Sequence, residues 1–357
     1  MLNIQYSYRL NRKKILFVSK NIINFLKYLM VATKNIPELN NISDDKFRTL
    51  LYLPIDNKLQ RYGEGGLRKK GIYKIKEPNK PLISIVTINL NNDIESTILS
   101  VLDQQYENIE FIIKDGGSNR KTLEILKNYD DKIDYWVSEK DNGIWDGTNK
   151  GITLATGNYI GQLNSGDLIN LGAIDYILEL IYKNPNADCI LGSCLKKRLM
   201  HSYRPEDIKL HFNIFPSNSG SFYLKKEAFK KVGLYNTKYR CSADYDLVYK
   251  MIVRHKIQGI CGTKHRILSI KQSGGFSESY SFFQTLFEEC RIRFDNNQNI
   301  FIILFIFFGR CFKKLINRII KFDGNKQSKF VNDDITEKEI FNARNYYKLI
   351  IKKKKYD

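Results

Sequence analysis

Acidic and amide side chains follow two apolar segments of the chain. Asp115 closes the apolar segment 109–114, and the tetrad Asn164-Ser165-Gly166-Asp167 follows the apolar segment 159–163. In open α/β sheets, ligands bind in the crevice outside the carboxyl ends of the strands. Acids at two strand ends therefore indicate a site for a phosphate, a sugar or a metal ion.

The elements that must position these acids alternate regularly between residues 81 and 192. Short apolar runs predict strands at 82–88, 109–115, 135–138, 159–163 and 189–191. Segments of helical period lie between them, at 94–105, 118–126, 144–156 and 173–183, and Ser118 is expected to cap the second of these helices. This alternation predicts an α/β fold: one doubly wound, mostly parallel sheet flanked by helices.

The composition restricts the class of protein. Of the 357 residues 43% are hydrophobic, and the net charge of +20 draws the chain toward anionic surfaces. Basic residues concentrate in the two tails and form no recognisable nucleic-acid-binding motif, so nucleic-acid binding is not favoured. The six cysteines form no CxxC pair and the four histidines form no HExxH motif. We therefore expect reduced thiols, a cytosolic setting, and oxygen ligands for any metal, which favours Mg²⁺ or Mn²⁺.

The loop after the first predicted strand excludes two common nucleotide sites. It reads Asn89-Leu90-Asn91-Asn92 and lacks the glycines that let a dinucleotide approach a helix terminus. No GxxxxGK[ST] loop is present either. A conventional NAD site and a P-loop are therefore improbable.

A series of motifs occurs in a fixed order between roughly residues 81 and 275, in the segments 83–89, 100–105, 115–118, 141–146, 149–151, 163–167, 219–222, 232–235 and 243–247. In order and spacing these motifs resemble family 2 glycosyltransferases of the kind found in bacterial surface-polysaccharide biosynthesis. This resemblance implies a GT-A fold, a nucleotide-sugar donor with a UDP-sugar favoured, a divalent cation, and inversion at the anomeric carbon.

The resemblance also implies roles for residues on the donor side. Thr87, Asn89 and Asp115 would line the nucleoside pocket, and Lys150 would reach the diphosphate. Turn chemistry is the alternative for Asp115, burial in a strand for Thr87, and a solvated helix position for Lys150. Two further donor-binding residues are expected, Asp146 near the sugar and Asn164 in the turn after the fourth strand.

Two acids are expected to do the chemistry. The turn that ends in Asp167 corresponds to the family's D-x-D region, of which only the last acid is kept; one carboxylate suffices for a cation held mainly by substrate phosphates. The alternative is that Asp167 caps the next helix. Asp244 stands in the position of the catalytic base. Asp246 is the alternative base, and both acids could instead cap the helix that follows.

Two extensions flank the expected catalytic domain of residues 81–275. Residues 1–80 form a basic, partly helical N-terminal extension, in which 15–32 read as an amphipathic helix that docks on the domain or lies on a membrane. Residues 276–357 include the apolar run 300–308 followed directly by Arg310, Lys313 and Lys314. This pattern suits a helix in the headgroup region of an anionic leaflet, with packing on the domain as the alternative.

These features together predict a metal-dependent inverting hexosyl- or related glycosyltransferase, peripheral on the inner face of the cytoplasmic membrane. It would move a sugar to a hydroxyl of a glycan or lipid-linked acceptor in capsule, lipopolysaccharide or exopolysaccharide synthesis. Because acids are missing from both motifs, a non-catalytic nucleotide-sugar-binding subunit of an assembly complex is the alternative.

Overall fold

A computed structural model describes residues 32–33, 47–56, 58–211, 219–272, 279–320 and 334–354. The described strands are β1 (Ala32–Thr33), β2 (Arg61–Gly65), β3 (Tyr73–Lys74), β4 (Ile83–Asn89), β5 (Ile109–Asp115), β6 (Tyr135–Glu139), β7 (Tyr159–Asn164), β8 (Leu168–Ile169), β9 (Cys189–Leu191), β10 (Ser193–Leu195), β11 (Leu199–Met200), β12 (Phe222–Lys225), β13 (Gly259–Cys261) and β14 (Ile267–Ile270). The described α-helices are α1 (Ile94–Leu102), α2 (Arg120–Asn128), α3 (Ile144–Thr153), α4 (Ala173–Lys183), α5 (Lys226–Val232), α6 (Ala243–Tyr249), α7 (Phe282–Asp295), α8 (Ile300–Ile320) and α9 (Asp334–Lys353).

The main sheet has eight strands in the order β13-β9-β12-β7-β4-β5-β6-β2. Its centre, β7-β4-β5-β6, is parallel, and β12 and β2 run antiparallel to their neighbours. The predicted α/β class with a mostly parallel sheet is therefore confirmed. The structure adds a second sheet of four short strands, β11-β10-β14-β8, which the sequence did not predict.

Helices cover both faces of the central strand β4, and every residue of β4 is buried. Ile83 and Ile85 pack on one face with Ile98 of α1, whereas Val86 packs on the other face with Ile152 of α3. A strand that is covered on both faces is stable only when it is apolar nearly throughout. This explains why β4 carries a continuous apolar run that the sequence reveals.

The main sheet begins before Pro81, the residue at which the sequence places the start of the catalytic domain. Strand β2 pairs with β6, and Arg61 forms an ion pair with Glu139 across that pairing at 2.8 Å. Arg68, just after β2, pairs with Glu110 of β5 at 2.6 Å, and both side chains are buried. Residues 61–70 are thus built into the compact unit. Residues 15–31 of the helix predicted at 15–32 lie outside the described residues, and Ala32 begins β1 instead.

The two ends of the C-terminal extension are placed differently. Helix α9 packs on the domain through Tyr346 and Ile350, and Lys353 and Lys354 pair with acids at the two ends of α1. This last part of the extension is therefore packed on the domain, a placement that the sequence did not specifically predict. Helix α8 instead exposes large apolar side chains. Within the described residues, no helix combines the length and the apolar character needed to cross a bilayer.

The start of α2 differs from the expectation. Its N-cap is Asn119, whose side chain accepts a hydrogen bond from the Thr122 N–H at 3.2 Å. The hydroxyl of Ser118 donates instead to Asp115 at 2.5 Å. Ser118 therefore belongs to the strand-end turn and not to the helix, because its oxygen, which a cap needs as an acceptor, accepts from the Asn91 N–H at 2.8 Å and from Asn89 Nδ2 at 3.1 Å.

Candidate active site

The carboxyl ends of the central parallel strands meet at one edge of the main sheet. Asn89, the last residue of β4, lies directly opposite Asp115, the last residue of β5. Ser138 of β6 lies opposite Asp115 on the other side, and Asn164 closes β7 opposite Ile88. The predicted strand-end residues are therefore brought together, as a parallel sheet requires.

Asp115 is buried and is saturated with hydrogen bonds from its own domain. One carboxylate oxygen accepts from Asn89 Nδ2 at 2.6 Å and from the Ser118 hydroxyl. The other accepts from the Ser138 hydroxyl at 2.6 Å and from the N–H groups of Gly117 and Ser118 at 3.1 and 2.8 Å. This geometry matches the turn alternative, since the carboxylate shapes the loop over the strand ends. Contact between Asp115 and a nucleoside stays a prediction.

Two polar atoms at the end of β4 lack a partner. Thr87 Oγ1 and Asn89 Oδ1 are buried and have no hydrogen-bond partner among the described residues. A buried polar atom without a partner costs free energy unless a ligand or a water supplies one. Both residues were expected in the nucleoside pocket, and their unpaired oxygens are consistent with that expectation.

Asp146 and Lys150 pair with each other on α3. Lys150 Nζ lies 3.1 Å from Asp146 Oδ2 and 3.8 Å from Glu139 Oε1, and the lysine side chain is only 19% exposed. The alternative of a solvated lysine therefore does not describe Lys150. Below it, the buried Lys114 donates to the carbonyl oxygens of Asp115 and Glu139 at 2.7 and 2.6 Å. Desolvation by burial lowers the pKa of Lys114, while the nearby Asp141 carboxylate acts in the opposite direction.

The turn after β7 holds Asp167 in place. Its N–H donates to the carbonyl of Asn164 at 3.0 Å, and its Oδ1 accepts from the backbone N–H of Gln272 at 3.0 Å. The carbonyl of Asp167 accepts from the Thr97 hydroxyl of α1 at 2.9 Å. The N-cap of the next helix, α4, is Gly172. The cap alternative for Asp167 is therefore not what the structure shows.

Asp244 lies in the first turn of α6 and is partly exposed. Its Oδ1 accepts from the N–H of Tyr245 at 2.8 Å. Desolvation by burial raises the pKa of Asp244 to about 6, the N–H of Tyr245 and the charge of Lys271 oppose this rise, and the charge of Glu288 adds to it. A carboxyl with such a pKa is suited to accept a proton near neutral pH.

Asp246, the alternative base, has a different environment. It is 1% exposed and accepts hydrogen bonds from Lys250 at 2.6 Å and from Asn296 at 3.1 Å. Its carboxylate is thus committed to holding α6 against α7. The surroundings favour Asp244 over Asp246 as a proton acceptor.

The segment that follows β14 contacts Asp167 and acts electrostatically on Asp244. Gln272 holds Asp167 through its backbone N–H, and Lys271, one residue earlier, acts electrostatically on Asp244. The two acids come from positions 77 residues apart in the sequence. Gln272 thus contacts Asp167 directly, and the charge of Lys271 reaches Asp244.

A residue of the C-terminal extension positions the loop before Asp244. The carboxylate of Glu288 on α7 accepts hydrogen bonds from three successive backbone N–H groups, those of Arg240 (2.6 Å), Cys241 (2.9 Å) and Ser242 (3.0 Å). From the other side, Trp145 Nε1 donates to the carbonyl of Arg240 at 2.8 Å. Sequence reasoning missed Glu288, because α7 lies beyond the alternating region and no motif includes it.

The donor set near Asp167 suits a cation that is held mainly by a substrate. Asp167 offers a carboxylate and Asn164 an amide oxygen in the same turn, which are ligands that Mg²⁺ and Mn²⁺ accept. Among the described residues, no three His, Cys, Asp or Glu side chains are grouped closely enough to hold a metal ion alone. The residues therefore fit a cation whose other ligands are phosphate oxygens and water.

Comparison with known proteins shows which family the central part of the chain resembles. Residues 83–237 match the family model described as Glycosyl transferase family 2. These residues therefore resemble that family, and they include the four parallel strands β4 to β7 at the centre of the main sheet. The matched residues include those expected on the donor side and Asp167, whereas Asp244 lies beyond them.

Curated proteins that the chain resembles are described as uncharacterized glycosyltransferases. An uncharacterized glycosyltransferase of Rickettsia typhi is 31% identical over 188 residues, which cover 48% of this chain and 59% of that protein. An uncharacterized glycosyltransferase of Mycobacterium tuberculosis is 37% identical over 90 residues, 24% of this chain and 34% of that protein. The chain therefore spans less than two thirds of these relatives. The likeness to them extends over at most 48% of this chain.

Two solved structures give weaker likenesses. A mannosyltransferase from Pyrobaculum calidifontis, in complex with GDP-Man and Mn²⁺, aligns with a TM-score of 0.48 at 12% identity over 75% of this chain and 87% of that one. S. aureus TarS 1-349, in complex with UDP-GlcNAc, aligns with a TM-score of 0.47 at 12% identity over 74% and 80%.

Proposed function

We propose that this chain is an inverting glycosyltransferase that moves a sugar from a nucleoside-diphosphate sugar, with a UDP-sugar favoured, to a hydroxyl of a glycan or lipid-linked acceptor. The observation that supports the proposal is the meeting of Thr87, Asn89 and Asn164 at the carboxyl ends of β4 and β7, where the oxygens of Thr87 and Asn89 are buried without partners among the described residues. Asp167 lies in the turn after β7, and Asp244 has a pKa of about 6, which suits a base.

In the proposed reaction, Asp244 accepts one proton. The acceptor oxygen attacks the anomeric carbon, the bond between that carbon and the phosphate oxygen breaks, and the nucleoside diphosphate leaves with the bonding electrons. As attack develops, the proton of the acceptor hydroxyl moves to the Asp244 carboxylate. Attack opposite the leaving group inverts the anomeric carbon, so no second protein nucleophile is needed.

On the donor side, Thr87 and Asn89 would bind the nucleoside through their unpaired oxygens. The pair formed by Asp146 and Lys150 lies on α3, where Lys150 would meet the diphosphate. Asp167 and Asn164 would hold Mg²⁺ or Mn²⁺, which would offset the negative charge of the leaving diphosphate. Asp115 would keep the loop over the strand ends in shape.

The proposal places the enzyme in the synthesis of a bacterial capsule, lipopolysaccharide or exopolysaccharide, at the inner face of the cytoplasmic membrane. Its support is the resemblance of the motifs together with the basic and apolar C-terminal extension. The sugar and the acceptor are decided by side chains that contact them and not by the fold.

A thermal-shift panel of nucleotide sugars, with and without Mn²⁺, tests donor binding. A stabilising shift by one nucleotide series, larger with Mn²⁺, is the expected result. The donor so found is then incubated with glycan and lipid-linked acceptors, and the released nucleoside diphosphate is measured. Donor binding without release under any condition would instead identify a nucleotide-sugar-binding subunit, and no shift with any donor would overturn both.

A further inference from the structure

One face of α8 exposes large apolar side chains along the length of the helix. Phe301 and Phe305 are 76% and 75% exposed, whereas Ile303 and Ile306 on the opposite face are buried. The exposed positions recur at spacings of three and four residues, so they share one side of the helix: Phe301, Leu304, Phe305, Phe308, Phe312 and Leu315. A contiguous exposed apolar stripe of this extent marks an interaction surface.

The stripe continues onto α7. Phe287 of α7 lies 5.6 Å from Phe307 of α8, and Phe283 lies 6.5 Å from Phe287, measured between ring centroids. Phe283 and Phe287 are themselves exposed. We name the joint surface of these two phenylalanines and the six exposed residues of α8 the aromatic face.

The aromatic face is held in place from behind by buried charges. Glu289 of α7 is fully buried and pairs with Arg293 at 3.2 Å. The same carboxylate also pairs with Arg310 of α8. Because removing one partner would leave a buried charge uncompensated, this arrangement fixes α8 against α7. The surface is therefore formed before any partner binds.

Positive charge borders the aromatic face. The ammonium of Lys314 lies 4.1 Å from the ring centroid of Phe282 and 4.8 Å from that of Phe283. The sequence of α8 contains no acidic residue and four basic ones, Arg310, Lys313, Lys314 and Arg318. Exposed aromatic rings edged by cations match the boundary between headgroups and acyl chains of an anionic leaflet.

Charge also argues against other occupants. Residues 1–31, which lie outside the described part of the chain, carry six Lys or Arg residues and no acid. They have the same sign as the border of the aromatic face, and so does the aromatic face of a second copy. Like charges disfavour both contacts, whereas an anionic surface complements this border and the net charge of +20.

We infer that the aromatic face docks on an anionic phospholipid bilayer, with α8 lying in the plane of the headgroups. This inference gives the proposed transferase a site of action and names the residues that hold it there. It does not depend on sugar transfer, because vesicle binding is measured without donor or acceptor. Failure of either proposal is thus seen separately.

Co-sedimentation of the full chain with vesicles tests the inference. Binding to phosphatidylcholine vesicles that contain phosphatidylglycerol is expected to exceed binding to phosphatidylcholine alone, and to weaken as salt rises. The double substitution Phe305→Ser with Phe308→Ser is expected to weaken binding by about tenfold or more. The matched control is Phe341→Ser with Leu349→Ser on α9, residues of similar exposure, which should bind as the wild type does.

A substitution within the aromatic face reports what covers it. In the variant Phe305→Trp, the fluorescence of the added tryptophan is obtained by subtracting the emission of the wild type. We expect this fluorescence to be quenched by acrylamide in buffer and to shift to the blue with anionic vesicles. Protection of this tryptophan from acrylamide in buffer would overturn the inference. If the protection depended on protein concentration, a second copy would cover the aromatic face; if it did not, the chain's own N-terminal segment would cover it. Equal vesicle binding by the wild type and the double Ser variant would also overturn it.

Discussion

The backbone N–H of Gln272 donates a hydrogen bond to Asp167 Oδ1 at 3.0 Å. This bond joins the turn after β7 to the segment that leaves β14, which are 105 residues apart in the sequence. The positive charge of the neighbouring Lys271 lowers the pKa of Asp244, so this dipeptide influences both acids to which the proposed mechanism assigns roles. In the second, smaller sheet, β14 pairs with β8, which begins directly after Asp167. This pairing brings the dipeptide that follows β14 to Asp167.

Asp167→Asn tests the cation contact. The amide oxygen of asparagine can still accept the Gln272 N–H, so the fold should be retained, whereas the charge that attracts a cation is lost. We expect kcat to fall by about a hundredfold or more, with a higher Mn²⁺ concentration needed for half-maximal rate. The measurement is a Mn²⁺ titration of initial rate. Asp175→Asn, at an exposed acid of α4, is the control, and full activity of Asp167→Asn in chelator would remove the cation from the proposal.

The pH dependence of the rate tests Asp244. A base must be deprotonated to accept a proton, and burial raises the pKa of this carboxyl to about 6. We therefore expect kcat/KM to be level above that pH and to fall about tenfold per unit below it. Asp244→Asn should lower kcat by about a hundredfold to ten-thousandfold while donor binding persists in the thermal-shift assay. Turnover at the wild-type rate in this variant would contradict the assignment.

Asp244 should also affect stability, with a defined sign. Its folded-state pKa of about 6 exceeds the ordinary value of 3.8, so the protonated group favours the fold below pH 4 and this contribution is lost as the pH rises through 6. Asp244→Asn is therefore expected to raise the free energy of unfolding at pH 8 by about 1–2 kcal/mol and to lose that advantage at pH 4. Urea unfolding at both pH values measures this, and destabilisation by Asp244→Asn at pH 8 would speak against the raised pKa.

Glu288→Gln tests whether Glu288 positions the loop before Asp244 for catalysis or only stabilises the fold. The amide keeps the shape of the side chain but weakens its bonds to the three N–H groups before Asp244, and it removes a negative charge that raises the pKa of Asp244. We expect kcat to fall about tenfold with little change in the donor KM, and the acid limb of the pH–rate profile to move to lower pH.

Lys271→Met gives the opposite shift of that limb. Its positive charge lowers the pKa of Asp244, so its removal should move the limb to higher pH. Glu179→Gln, at an exposed residue of α4, is the control for both substitutions. A lower rate with an unmoved acid limb in both Glu288→Gln and Lys271→Met would reduce these residues to a purely structural role.

Asp115→Asn tests the hydrogen-bonded turn at the end of β5. Five hydrogen bonds from four residues converge on this buried carboxylate, and an amide nitrogen in place of one oxygen cannot accept them. We expect the free energy of unfolding to fall by about 2–4 kcal/mol, measured by urea denaturation. The control is Asp131→Asn at an exposed position. An unchanged free energy of unfolding would show that the carboxylate is not needed to shape the turn.

Local patterns in the sequence were sufficient to predict most elements of the α/β core. The prediction of a strand at 109–115 and of a helix at 173–183 coincides with β5 and α4, and the strand predicted at 82–88 is β4 shifted by one residue. The period of apolar residues is set by which faces of an element are covered, and this information lies within a few neighbouring residues. The placement of Asn89 beside Asp115 followed, because parallel strands end at one edge.

Contacts between distant segments were decided by the tertiary structure alone. The sequence around Glu288 does not show that its carboxylate accepts hydrogen bonds from the N–H groups before Asp244. Nor does the sequence before Pro81 show that β2 joins the main sheet. The saturation of Asp115 by Ser138 and Ser118 is of the same kind. Such partners are chosen by the packing of whole helices and strands, whose sequence separation leaves no local pattern. The sequence therefore determined the elements and the chemistry of their ends, and the folded chain determined which groups face one another.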